Sequence, residues 1–294
     1  MYKNISIIFT SIFLESLPFL LLGALISSII EVFISKDTIA KIIPKNKILG
    51  SIVGVFLGFF LPACDCAVIP VSKRLLKKKV PINVAVSFML ASPIINPVVL
   101  LSTYYAFYNT NPKIFWARII LGILISLLIG TILGIIYGKK EVIKNGLLDD
   151  DECSCTHHHN ENKFIEIFKH TAYDFFDVVK YLMFGAIIAS LVQGLLPRNI
   201  LEVLNSNQVL SIITLMLFAY LISLCSTSDS FVGRSLLNSF SKGSIVAYLL
   251  LGPMIDIKNT IVLLGNYKKK FVIILISLIF IIIFISSLLV VMFI

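Results

Sequence analysis

Cysteines and carboxylates sit where this chain is otherwise most apolar. Cys64, Asp65 and Cys66 lie between Phe59-Phe60-Leu61-Pro62-Ala63 and Ala67-Val68-Ile69-Pro70, and a related cluster, Cys225-Ser226-Thr227-Ser228-Asp229-Ser230, recurs about 160 positions later. Thiolates suit soft ions such as Zn(II), Cu(I) and, by the same reasoning, trivalent arsenic. Cys64 and Cys66 with Cys225 therefore make a candidate three-thiol site. A buried cysteine is also a common small hydrophobe, an explanation that fits one such residue better than a C-x-C between two prolines. Charges at membrane depth must be paired, protonated or hydrated, so Asp65, Asp229 and Asp256 need explaining. Lys258 and Arg234 are the nearest cations in sequence to Asp256 and Asp229. Glu15, inside an apolar run, is a candidate proton or coupling site.

Prolines add a second kind of polar group. Pro93, Pro97 and Pro253 each lack an amide hydrogen and free the carbonyl four residues earlier, which must then face protein or water. Asn96 follows Pro93 by three residues and Asp256 follows Pro253 by three. The pattern predicts that Asn96 holds a substrate by hydrogen bonds and that Asp256 is the coupling carboxylate.

The elements that must position these groups are membrane helices. The chain has 294 residues, of which 58% are hydrophobic and 14% charged, with a mean hydropathy of +0.98. A helix spans a bilayer with roughly 20 apolar residues, and eight stretches qualify: about 5–32, 48–70, 82–108, 115–138, 173–196, 208–227, 242–264 and 271–294. Two further short or re-entrant segments fit the pattern. The first stretch carries Glu15 and Pro18 and lacks a small-x-small cleavage site, so it reads as a retained helix. The expected fold is all-α and polytopic. The net charge of +9 lies mainly in connections, which points to lipid rather than nucleic acid. With eight spans and the N terminus inside, 13 Lys and Arg fall on the cytoplasmic side and ten outside. That count predicts that both termini and the 139–172 connection are cytoplasmic.

The chain also reads as a duplication. Glu15 to Ile26 aligns with Asp177 to Ile188 at an offset of 162, and Ser92-Pro93-Ile94-Ile95-Asn96 aligns with Gly252-Pro253-Met254-Ile255-Asp256 at an offset of 160. Units 1–138 and 173–294 would be joined by a hydrophilic linker, 139–172. Four spans per unit make the units parallel, an odd number makes them inverted, and the site belongs at their interface near the midplane. The linker carries Cys153, Cys155, His157, His158 and His159 behind an acidic run, candidate metal ligands without zinc-finger spacing. No Walker loop, catalytic triad or zincin motif is present. The chain is therefore not read as an enzyme, and no cofactor is expected beyond a soft metal ion or metalloid as substrate.

Pro62-Ala-Cys64-Asp-Cys66-Ala-Val-Ile-Pro70, Ala91-Ser92-Pro93-Ile94-Ile95-Asn96-Pro97 and Leu251-Gly252-Pro253-Met254-Ile255-Asp256-Ile257-Lys258-Asn259 resemble the hallmarks of a family of predicted bacterial permeases. The resemblance is to the YcgR/YraQ-like permeases, related to the organoarsenical efflux permeases called ArsP. It implies a multi-pass plasma-membrane transporter of about eight helices, with cysteines matching Cys64, Cys66 or Cys225 at the substrate. Asp65 and Ala67 stand where many relatives have Ser and Gly, which places the chain nearer the branch whose members work beside a second membrane subunit. Three functions follow as expectations. They are a permease or permease subunit for a small solute or soft metal-related species, a trivalent organoarsenical or soft-metal efflux permease, and a transmembrane thiol-disulfide conduit between the two cysteine clusters.

Overall fold

A computed structural model describes residues 2–33, 44, 46–61, 65–138, 142–144, 163–195, 207–237 and 239–293. The described residues form twelve helices whose order repeats. The first six are α1 (Tyr2–Phe33), α2 (Lys47–Phe60), α3 (Asp65–Lys77), α4 (Ile82–Ile95), α5 (Pro97–Phe107) and α6 (Pro112–Tyr137). The second six are α7 (Lys163–Leu195), α8 (Gln208–Ile222), α9 (Ser226–Ser235), α10 (Lys242–Met254), α11 (Ile257–Asn266) and α12 (Lys269–Phe293). Helix α7 begins at Lys163, inside the segment read from sequence as linker.

All eight apolar stretches are helical, but they are not all crossings. Six are long and apolar enough to span a bilayer: α1, α4 with α5, α6, α7, α10 with α11, and α12. The stretches near 48–70 and 208–227 are interrupted instead. Fourteen-residue α2 is about 21 Å long at ~1.5 Å per residue, short of a ~30 Å hydrocarbon core. Its direction is fixed by glycines: Gly50 lies against Asn83, Gly54 against Val84 and Ser87, and Gly58 against Ala91 and Ser92, so α2 runs parallel to α4. Helix α3 then turns directly into α4 through residues 78–81 and runs antiparallel to it. The pair α2–α3 is therefore a hairpin that enters and leaves at one face.

The second half repeats this from the opposite face. Ser211 bonds Ser244 at 2.8 Å and Phe218 packs on Tyr248, making α8 parallel to α10. Gly233 lies beside Leu249 and Asp229 beside Gly252, making α9 antiparallel to it. Three crossings in each half replace the expected four, so the halves are inverted rather than parallel. The division at 139–172 stands as a proposal on that basis.

Three crossings also put the linker and the two termini on opposite faces, so they do not share the cytoplasm as the charge count predicted. Among the described residues, the linker face holds Lys47, Lys73, Arg74, Lys77, Lys78, Lys79, Lys144, Lys163, Lys169, Lys268, Lys269 and Lys270. The other face holds Lys3, Lys113, Arg234 and Lys242. Counting Arg118 with the second face makes it twelve against five among the described residues, a stronger bias than thirteen against ten, and the excess belongs inside. An impermeant thiol reagent added to intact cells should therefore label Asn109→Cys and not Lys79→Cys, in a chain whose own cysteines are serine. The reverse pattern would sink this orientation.

The glycine stripe lets backbones of α2 and α4 touch, the packing that associates helices where lipid offers no hydrophobic drive. A Cβ at Gly54 would meet the Val84 carbonyl oxygen. Gly54→Ala should cost about 1–3 kcal/mol, the usual range for overpacking, seen as a lower melting temperature in detergent. An unchanged melting temperature would show that α4 can move aside.

Candidate functional site

The tips of the two hairpins meet between the halves. Helix α2 ends at Leu61 in an extended conformation, and α3 starts with Asp65 in its first turn, where the helix dipole favours a negative charge. Opposite, α8 ends at Ser223 in the left-handed conformation, φ 52°, and Cys225 is the extended N-cap of α9. Both broken spans carry a side-chain cap at the break. Asn96 Oδ1 accepts from Val98 N at 3.0 Å, and Asp256 Oδ1 accepts from Asn259 N at 2.6 Å. The residues expected to bind substrate and to couple thus each hold one helix N terminus.

A cavity of about 30 Å³ lies where the tips meet, lined by Ile12, Glu15, Ser16, Phe19, Asp65, Ser223, Leu224, Cys225 and Lys258. That is room for roughly one or two waters. Lys258 dominates it: its Nζ lies 3.4 Å from Asp65 Oδ2 and 3.6 Å from Asp256 Oδ2. All three are buried. Asp65 belongs to the first half and Lys258 to the second, so this ion pair crosses the interface. Two carboxylates thus face one ammonium, and Glu15 lies on the cavity wall, on its exposed side. Thr227 donates to Cys225 Sγ at 3.6 Å.

A second charged network lies beside α9. Arg118 is fully buried and donates through Nη1 to Thr103 Oγ1 at 2.7 Å and to Ser230 Oγ at 2.8 Å. Tyr248 donates to Asp229 Oδ1 at 3.0 Å. Asp229 is thus held by Tyr248, and no ion pair joins it to Arg234 among the described residues. Gly252 leaves room for this carboxylate, because a Cβ there would come within 2.7 Å of Asp229 Oδ2 and push it aside. A third group ties α3 to α7: Arg74 forks onto Asp174 with contacts of 3.0 and 2.6 Å, and Lys73 meets Asp177 at 3.2 Å.

The predicted residues separate accordingly. Glu15, Asp65 and Cys225 each line the cavity, with Asp256 behind Lys258. Asp229 sits in the Arg118 network, and Pro93, Asn96, Pro97 and Pro253 shape the breaks without lining the cavity. Asp177 is paired to Lys73 whereas its sequence counterpart Glu15 lines the cavity. Cys64 and the tract Cys153, Cys155, His157, His158 and His159 lie outside the described residues, and Cys66 is described only as backbone of α3. Among the described residues no three metal-ligating side chains converge. Sequence reasoning missed Arg118, Lys73 and Arg74, counting them as loop charges. An Arg six residues past Pro112 in an apolar run was the available clue.

Lys258→Met should cost about 3–5 kcal/mol, the usual penalty for leaving a buried charge without its partner, and adding Asp65→Asn should recover part of it. Thermal melts of the two single variants and the double variant read the coupling. Strict additivity would show that the two side chains do not stabilise each other.

Inverted halves, helices broken at the midplane and charges lining an interior cavity define a membrane permease. The chain belongs to the family of predicted permeases, which it matches over residues 2–292, and it is a multi-pass bacterial membrane protein. It is 41% identical over 281 residues to UPF0718 protein YcgR of Bacillus subtilis, covering 95% of this chain and 94% of that one. It is 39% identical over 266 residues to a putative two-component membrane permease complex subunit of Streptococcus mutans, covering 90% and 88%. A shorter match, 25% over 111 residues, links 38% of the chain to 31% of UPF0718 protein YraQ of Escherichia coli. No solved structure matches it significantly.

Proposed function

We propose that this chain is a secondary permease, or a permease subunit, that moves a small cationic solute or soft metal-related species between its two hairpin tips. The observation that supports this most is the cavity where Glu15, Asp65 and Cys225 meet Lys258. Two buried carboxylates on one ammonium leave an excess of negative charge in a place where charge is costly. A cation entering there replaces Lys258 at Asp65. Lys258 keeps Asp256, the cross-interface pair opens, and the two halves are free to rock. A trivalent arsenical or soft metal is the narrower form of this reading, since Cys225 faces the cavity and Cys64 and Cys66 flank Asp65 in sequence. The S. mutans relative is described as a complex subunit, which favours a second subunit here.

The test is a growth and uptake screen of a deletion strain against trivalent arsenicals, zinc, copper and small organic cations. For the solute that responds, Asp65→Asn and Cys225→Ser should each lower transport at least about tenfold, equivalent to ~1.4 kcal/mol, at normal membrane abundance. Asp256→Asn should keep the cap of α11 and the fold while altering coupling to the proton gradient. Asp256→Ala should lose the cap as well, about 0.5–2 kcal/mol. Near-normal transport in both Asp65→Asn and Cys225→Ser would remove the cavity from the pathway.

A further inference from the structure

The pairings of α2 to α6 recur in α8 to α12: α2 with α4 as α8 with α10, α4 with α6 as α10 with α12, and α3 with α11 as α9 with α5. Helices α1 and α7 break this order. They pack along each other, and both cover the α3 and α11 side, α1 on α3 and α7 on α11. The equivalent side, α9 with α5, has no such cover among the described residues.

Equivalent positions show the difference. Val71 on α3 is 0% exposed and its counterpart Phe231 on α9 is 55%. Lys258 on α11 is 3% exposed and Val98 on α5 is 60%. Gly265 on α11 receives the ring of Tyr181 from α7, whereas Tyr105 in the same place on α5 stands 66% exposed. Charge follows the same rule. Arg74 is buried in a forked pair with Asp174 of α7, while its counterpart Arg234 is exposed and in no ion pair among the described residues.

We infer that the α5 and α9 face docks an antiparallel pair of apolar membrane helices from a second, different subunit, with a carboxylate at the depth of Arg234. An antiparallel pair keeps its pattern of directions on inversion, so it fits this face as α1 and α7 fit theirs. A second copy of this chain fits less well, because the acids of its own α7, Asp174 and Asp177, are already taken by Arg74 and Lys73. A lipid phosphate can fork onto Arg234 as a carboxylate can, but lipid supplies no counterpart of the helix pair that covers the equivalent α3 and α11 side. This inference is independent of which solute is carried.

Photo-crosslinking amino acids at Leu101, Tyr105 and Phe231, with Ile281 and Ile285 on α12 as controls, test it in membranes of cells expressing the full chain. The three test positions should give one cross-linked membrane polypeptide, other than this chain, and the controls should give none. Its cross-linked peptides should map to two apolar segments, one with an Asp or Glu. Arg234→Glu should lower the yield at Tyr105 about tenfold, in line with loss of a desolvated charge pair, and Arg in place of that acid in the partner should restore it. Cross-links to lipid only, to a second copy of this chain, equally at the α12 controls, or undiminished by Arg234→Glu would each overturn the inference. A transport defect in Asp65→Asn with intact cross-linking separates failure of the cavity from failure of this interface.

Discussion

A backbone interrupted inside a bilayer has no water to satisfy its amides and carbonyls, and among the described residues the helices of this bundle stop inside it at four places. They fall at the two hairpin tips and at the breaks of the two broken spans, between α4 and α5 and between α10 and α11. Each must be enclosed by protein, which draws them towards the interface of the halves. Once enclosed there, they bring polar caps with them. Asp256 arrives as the cap of α11, Asp65 as the acid of the first turn of α3, and Ser223 as the left-handed end of α8. Lys258 follows because two carboxylates in so small a space need a counter-charge. The charged cavity is thus a product of chain topology as much as of side-chain choice.

Much of this was legible in the residues. Apolar runs gave the helices, the prolines followed by Asn96 and Asp256 marked the two breaks, and the offset near 160 tied the halves together. Glu15, Asp65 and Cys225 were recognised by being polar in apolar surroundings, and they share a cavity. What hydropathy could not separate was a crossing from a re-entrant hairpin. The stretch 48–70 has the length and composition of one span, and only the side that Gly50, Gly54 and Gly58 present to α4 shows that the chain turns back. One miscounted crossing per half then reversed the sidedness of several connections and concealed a strong charge asymmetry. Arg118 was lost for the same reason: an arginine near a helix start looks like a loop charge until its guanidinium is found bonded to Thr103 and Ser230.

The two charged networks divide their work by the helices they join. Lys258 with Asp65 links one hairpin to the broken span of the other half through a contact that leaves a cavity. Arg118 with Thr103 and Ser230 links the other hairpin to the broken span of the first half, through short hydrogen bonds and a fully buried guanidinium. The helix pairings of α2 to α6 and of α8 to α12 thus match, while the charged groups that they bring together differ.

The glycine seam between α2 and α4 decides where the molecule can bend. Backbones in direct contact, with a carbonyl of one helix lying where a methyl of the other would go, have no compliance for rolling or for a one-residue slide. The first limb of this hairpin and the first limb of its neighbouring broken span therefore behave as a single stiff plank. The other limb, α3, is held by a contact of the same kind, because a Cβ on Gly23 of α1 would meet the Cα and carbonyl oxygen of Ala67. In mechanical terms the hairpin is a beam clamped along both limbs, and it presents Asp65 near its end.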